Sequence, residues 1–473
     1  MLFNSLTFLI FFAIVLLVHY SPLRWRGKKL NLLLASYLFY AAWNPPFILL
    51  LWVSTMVDWK VAAAIYRNDS QSRRRALLLL SLGVNLGLLV FFKYSSFLLD
   101  NFAAVLNAVG LSWEAPESSI ILPLGISFYT FQTLSYTLDI YYRRMKPWDS
   151  LLDYALYVTF FPQLVAGPIV RAREFLPQCR KPAMAGLQQF GLGLALLTLG
   201  LFEKTVLADD VFAPLVESVY DSGAAADTVS AWIATLAFSG QIFCDFAGYS
   251  SCAVGIALCL GFYIPDNFRR PYAAIGFADF WRRWHISLSS WLRDYLYIPL
   301  GGNRHGMRRT HLNLMVTMLL GGLWHGASWT FVIWGGLHGF YLILERSLRK
   351  LPWPGWTYRP LPARLLLAAL TFFLVCIAWV FFRAGDLASA HHLLTVMMGF
   401  QGGERLLPDT AMTRVAVIVL VLLLVSHWLL RDTDIRQWLD RLPWPVKSLM
   451  LATMLLLIIL TPGDNRAFIY FQF

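Results

Sequence analysis

The sequence predicts an all-α polytopic membrane protein, with roughly ten to twelve membrane segments, some short, tilted or re-entrant, around a central tunnel. Three observations carry this reading. Of 473 residues, 58% are hydrophobic and only 14% are charged, against about 25% charged in soluble domains. Apolar runs recur along the whole chain, and the loops between them alternate in charge. The aromatic load, 19 Trp, 20 Tyr and 35 Phe, suits interfacial belts and helix packing.

The runs cover residues 2–20, 30–43, 47–66, 76–92, 120–142, 187–202, 229–263, 312–323, 329–344, 365–382, 415–430 and 446–460. A full crossing takes about 20 residues, so the shorter runs must tilt, pair or re-enter. The first run lacks a basic flank and a small-residue cleavage site, and is expected to be a retained helix. Residues 229–263 are too long for one straight span, and are read as two segments or one strongly tilted helix. Residues 154–170 are interrupted by Pro162, Gly167 and Pro168 and lie between basic clusters, which predicts a re-entrant hairpin packed inside protein.

Arg24, Arg26, Lys28 and Lys29 follow the first run, Arg73, Arg74 and Arg75 the third, and Arg143, Arg144 and Lys146 the fifth. Arg346, Arg349, Lys350, Arg359 and Arg364 form a later cluster. Asp100, Glu114 and Glu117, then Asp209, Asp210, Glu217, Asp221 and Asp227, mark the opposite loops. The alternation places the N-terminus outside and the basic loops in the cytoplasm. The net charge of +12 is then explained by anionic lipid headgroups, not by nucleic acid. Without an internal repeat or a hydrophilic domain, residues 1–473 read as one integral membrane domain, and residues 279–344 hold its histidine motifs.

Residues 279–296 read as an amphipathic helix capped by Asp279. At about 100° per residue, Phe280, Trp281, Trp284, Leu288, Trp291, Leu292, Tyr295 and Leu296 share one face, and Arg282, Arg283, Arg293 and Asp294 another. Such a helix lies at the cytoplasmic interface with its apolar side toward the membrane. His285 falls inside the apolar arc. A turn-rich break follows, Pro299 to Arg304, then the basic edge at Arg308, Arg309 and His311.

From Leu312 to His325 is about 20 Å of helix, which puts His325 part-way through a hydrocarbon core about 30 Å thick. An idle histidine at that depth is costly, so His325 is read as functional. Gly321, Gly322 and Gly326 allow close approach of helices or ligand. His338, in the next run among Gly335, Gly336 and Gly339, is a candidate for lining the same cavity. His391 and His392 sit in a predicted outer loop. The five cysteines form no CxxC pair, no metal set is visible, and the five read as small helix-packing residues. The common zinc-protease, serine-hydrolase and ATPase motifs are absent. Asp58, Asp139 and Asp245 lie near segment ends or stand singly, which argues against a proton-relaying transporter.

Phe280-Trp281-Arg282-Arg283-Trp284-His285-Ile286-Ser287-Leu288, Tyr297-Ile298-Pro299-Leu300-Gly301-Gly302-Asn303 and Leu323-Trp324-His325-Gly326 resemble the membrane-bound O-acyltransferase family, most closely its bacterial branch that serves alginate O-acetylation. The likeness extends to residues 122–132, to Phe161-Pro162-Gln163 with Ala166-Gly167-Pro168-Ile169, to Trp379-Val380-Phe381-Phe382-Arg383-Ala384 and to Phe468-Ile469-Tyr470-Phe471-Gln472-Phe473. The resemblance implies an O-acetyltransferase of the bacterial inner membrane that takes acetyl from cytoplasmic acetyl-CoA. His325 matches the catalytic histidine and His285 the second site residue. It also implies a periplasmic or extracellular SGNH or esterase-like partner that completes modification of a polysaccharide acceptor.

The chemistry agrees. Burial favours a neutral imidazole, which can take a proton from an acceptor hydroxyl as the hydroxyl attacks the thioester. An acetyl-histidine intermediate is the less favoured route. Arg282, Arg283, Arg293 and Arg304 are placed to meet coenzyme phosphates and headgroups alike, and Asn303 and Trp324 join them as donor contacts. Acylation of a lipid, a protein or teichoic acid is the alternative within the family, and a histidine-dependent transporter the alternative outside it. The connection from Met398 to Met412 matches the family least, and is a candidate for acceptor or partner specificity.

Overall fold

The computed structural model describes residues 1–116, 120–349, 360–461, 466, 468 and 469. Glu117, Lys350, Arg359, Tyr470, Phe471, Gln472 and Phe473 lie outside the described residues. The regular structure among those described is all helical, with one isolated β-bridge between Ala226 and Glu404. Among them six helices are long and apolar enough to cross a membrane, or seven if the bent pair Ile435–Arg441 and Trp444–Leu460 is one broken span. Shorter apolar helices such as Leu6–Tyr20 add to these. The chain is a polytopic helical membrane protein.

Two compact units form, one from Met1–Leu194 with Ala253–Pro265, the other from Ala195–Cys252 with Asp266–Phe473. Two of the three boundaries fall inside the helices Leu187–Leu201 and Thr228–Cys259, and the third in the connection at Pro265. The long run at 229–263 is thus one helix of 32 residues, about 48 Å against a core of about 30 Å.

In the first unit the helix Ile126–Tyr141 is buried from Ile126 to Ile140. It starts at Gly125, whose φ is +73° and where a Cβ would stand 2.5 Å from the Leu164 carbonyl oxygen. Only glycine meets both demands. The interrupted segment is buried, as its apolar sequence requires. A helix Leu151–Thr159 breaks at Phe160, and a single turn Phe161–Leu164 follows. The Gln163 side chain closes the break by donating to the Tyr157 carbonyl at 2.8 Å. Asp58 sits mid-helix, where Ser81 and Asn85 donate to its carboxylate.

In the second unit the helices Gly306–His325 and Trp329–Leu348 form a tight hairpin. A Cβ on Gly322 would collide with the Phe331 carbonyl oxygen, and one on Gly335 with that of Met318. The two backbones therefore touch, which small residues alone permit. Trp284, Trp334 and Trp379 are fully buried and centre the core. Cys252 faces Gly200 at close range, consistent with a packing role.

The segment at 279–296 departs from the continuous helix read in the sequence. It forms Phe277–Trp281, a bend, Ile286–Leu292 and a π-helical turn Arg293–Tyr297. Gly276 precedes the first helix, and Asp279 accepts from the Ile275 N–H instead of capping. The cause is competition for backbone partners. The Ile286 N–H donates to the Asn267 carbonyl at 2.9 Å, and the Arg269 N–H to the Arg283 carbonyl at 2.9 Å. These bonds replace helical ones, so His285 takes a left-handed conformation at φ +42°. The apolar face is also corrected, because Phe280, Trp284 and Leu288 are buried in protein and do not face lipid.

Candidate active site

The site is built where the bend meets the end of the hairpin's first helix. His325 is the last residue of Gly306–His325 and is buried. His285 occupies the bend with no exposed surface. Their ring centres are 6.3 Å apart, and the rings are inclined at 64°. Trp324 lies 5.0 Å from His325 and 5.9 Å from His285, both edge-on. Trp334 at 5.0 Å and Phe382 at 5.4 Å complete the enclosure of His325. Phe246 packs edge-on against His285 at 4.7 Å.

A polar anchor fixes His285. Its Nδ1 lies 3.1 Å from Asn267 Oδ1. That oxygen also accepts the Ser287 N–H at 3.2 Å and the Ser287 hydroxyl at 2.8 Å. The Asn267 amide donates to the Ser250 hydroxyl at 3.3 Å. With the amide oxygen so assigned, Nδ1 donates to it and Nε2 is the basic nitrogen of the ring. Burial pushes the His285 pKa down to about 3, which keeps the ring neutral. A non-glycine residue in the left-handed region costs about 1–2 kcal/mol, and the Asn267 bonds hold it there.

The structure brings together three of the residues the sequence singled out: His325, His285 and Trp324. The others lie elsewhere in their surroundings. Arg282, Arg293, Asn303 and Arg304 are exposed. Arg293 pairs with Asp294, and Asn303 accepts from the Tyr297 hydroxyl at 2.6 Å. Arg283 is held by Asp279 and Asp432, each at 3.0 Å. His338 is fully buried and stands among Phe280, Trp281, Trp334 and Tyr341, with ring centres 4.8–5.9 Å away. A cavity of about 300 Å³ has Phe277, Tyr341, Glu345, Arg349 and Arg364 in its lining. No group of three metal-ligating side chains occurs among the described residues.

Asn267, Phe246 and Trp334 were not found by sequence reading, and Phe382 entered it as part of the motif Trp379–Ala384, without a place in the site. Asn267 follows Pro265 in a connection with no periodicity, and only its pairing with the bend gives it a role. Trp334 looked like one more aromatic residue in an apolar run.

The sequence profile of the membrane-bound O-acyltransferase family matches residues 141–383, which include both histidines. A probable alginate O-acetylase, AlgI, of Azotobacter vinelandii is 40% identical, over 93% of this chain and 86% of its own length. A peptidoglycan O-acetyltransferase of Helicobacter pylori is 38% identical, over 85% of this chain and 80% of its own. A teichoic acid D-alanyltransferase of Bacillus subtilis is 28% identical, over 59% and 72%. The chain belongs to the membrane-bound O-acyltransferase family and is an O-acyltransferase.

Proposed function

We propose that the protein is a bacterial inner-membrane O-acetyltransferase. It passes acetyl from cytoplasmic acetyl-CoA across the membrane for O-acetylation of an alginate-like envelope or extracellular polysaccharide. The observation that carries the reading is the pair of buried imidazoles 6.3 Å apart, walled by aromatic rings. An enclosure of this kind excludes water, which would otherwise hydrolyse the thioester.

In this reading His325 is the general base. It takes the proton of an acceptor hydroxyl as the oxygen attacks the thioester carbonyl carbon. The carbon–sulfur bond then breaks, and the thiolate leaves with the proton from His325. His285, with Nδ1 committed to Asn267, keeps one ring orientation and offers Nε2 to the reacting groups. Trp324 packs against both rings and is a contact for the donor. Arg349, ion-paired with Glu345 at 2.5 Å, and Arg364 line the cavity next to the His338 cage and belong to the basic cluster assigned to the cytoplasm. Their charge suits an anionic donor. Arg282, Arg283, Arg293, Asn303 and Arg304 remain candidate contacts for coenzyme phosphates at that face. An SGNH or esterase-like partner outside the membrane would receive the acetyl group and place it on the polymer. Aminoacyl transfer to teichoic acid is the second reading, favoured by the more distant Bacillus subtilis likeness.

The test is His325→Ala in cells that make the polysaccharide, with released acetate measured and protein amount checked. Loss of acetylation at normal protein levels supports the assignment, and full acetylation overturns it.

A further inference from the structure

A buried ionic cluster lies in the second unit. Lys204 Nζ donates to Asp209 Oδ1 at 2.8 Å and to Asp245 Oδ1 at 2.5 Å. All three residues are buried. The sequence reading left Asp245 single, but it is paired. Lys204 and Asp209 are five residues apart, about 140° apart on an α-helix and so on different faces. Here Phe202–Phe212 is π-helical, and its wider turn of i to i+5 bonds brings residues five apart onto one face. Asp209, read in the sequence as part of an outer loop, thus lies within a helix long and apolar enough to cross a membrane, Leu187–Tyr220. A π-helical stretch is locally costly and marks functional sites, and charges within a membrane helix are retained for a purpose.

The other carboxylate oxygen is engaged as well. Asp245 Oδ2 accepts the backbone N–H of Ile469 at 3.0 Å. Phe468, the preceding residue, packs on Phe246 at 5.6 Å and on Tyr249 at 4.9 Å. Phe246 is the ring set edge-on against His285. A second tie holds the same segment, from Arg466 to Glu217 at 2.5 Å. The chain of contact therefore runs from Lys204 through Asp245 and the segment Phe468–Ile469 to Phe246 and His285.

We propose that Lys204, Asp209 and Asp245 form a clamp that holds Phe468–Ile469 against Phe246, and that Asp245 and Phe468 are positioning residues for His285 in acyl transfer. The proposal rests on the acetyl-transfer reading of the His285–His325 site. Asp245 suits this task because a carboxylate accepts from Lys204 on one oxygen and from Ile469 on the other. An amide has a single acceptor oxygen, so Asp245→Asn would turn its NH2 toward one of the two donors and open the clamp with no change in size.

Purified full-length protein is compared as wild type, Asp245→Asn, Phe468→Ala, Phe468→Tyr and His325→Ala. Acetyl transfer from labelled acetyl-CoA and melting temperature are measured for each. The clamp predicts that kcat of the folded protein, read below its melting transition, falls about tenfold or more in Asp245→Asn and Phe468→Ala, with KM for the donor unchanged. Both variants also melt lower, because one opens a buried ion pair and the other removes a buried ring. Phe468→Tyr, which keeps the ring, recovers kcat to within about threefold. A lowered melting temperature with wild-type kcat in the folded fraction of both variants would show a structural role only and overturn the proposal. If Asp245→Asn does not fold, Phe468→Ala decides, since it leaves the ion cluster intact. Unchanged kcat in the clamp variants with an inactive His325→Ala would overturn the clamp alone. Full activity in His325→Ala would overturn the functional reading and the clamp with it.

Discussion

His285 and His325 differ in how they are held, and this makes their roles separable by mutation. His285 is tied through Nδ1 to Asn267, whose oxygen serves Ser287 as well. Asn267→Ala removes that acceptor and frees the ring to change tautomer. Turnover is expected to fall about ten- to a hundredfold, with protein level maintained. Asn267→Asp keeps an acceptor for all three donors, and is expected to retain more activity than Asn267→Ala. Equal loss in both would contradict the tautomer argument. His325→Ala is expected to cost about a hundredfold or more in the same acetyl-transfer assay. Both histidines were legible in the sequence, because a polar residue in an apolar run stands out against its neighbours. Asn267 was not, because its importance comes from an oxygen that reaches a bend eighteen residues away.

At the scale of the element, the bend at His285 is the part the sequence least disclosed. Periodicity found most of the apolar face of 279–296, since Phe280, Trp284, Leu288, Trp291, Leu292 and Tyr295 are buried, whereas Trp281 and Leu296 are half-buried. It could not register that Asn267 and Arg269 take the bend's backbone partners. The bend has a pH consequence. The His285 pKa is about 3 in the folded protein, against an ordinary value near 6.5. The unfolded chain therefore binds more protons between these values, and stability falls as pH drops below about 6.5, until about pH 3. The slope from this group is at most about 1.4 kcal/mol per pH unit. Melting temperature in detergent should fall from pH 7.5 to pH 5, and less steeply in His285→Gln. Equal slopes would contradict the assignment. The hairpin carries a second prediction. Gly322→Val places side-chain atoms against the Phe331 carbonyl. It should lower stability by about 1–3 kcal/mol, read as a lower melting temperature.

At the scale of the molecule, composition and loop charge were enough to identify a polytopic helical membrane protein. Segment boundaries were less legible, because hydropathy registers apolarity and not burial. The helix Thr228–Cys259 has nearly all of its apolar window inside protein, whereas Thr410–Leu429 buries under a quarter of its own. Both look alike as sequence. Likewise Lys204 and Asp245 sit in different apolar helices, and nothing in their spacing announces the pair. The account as a whole claims that this chain moves an acetyl group by covalent transfer at His325, and does not merely carry a solute. The most direct measurement gives purified protein labelled acetyl-CoA together with the proposed extracytoplasmic partner and the polysaccharide. The account predicts free coenzyme A and labelled polymer in equal amounts from the wild type, and neither from His325→Ala. Donor left unconsumed by the wild type, or equal transfer by His325→Ala, would contradict it.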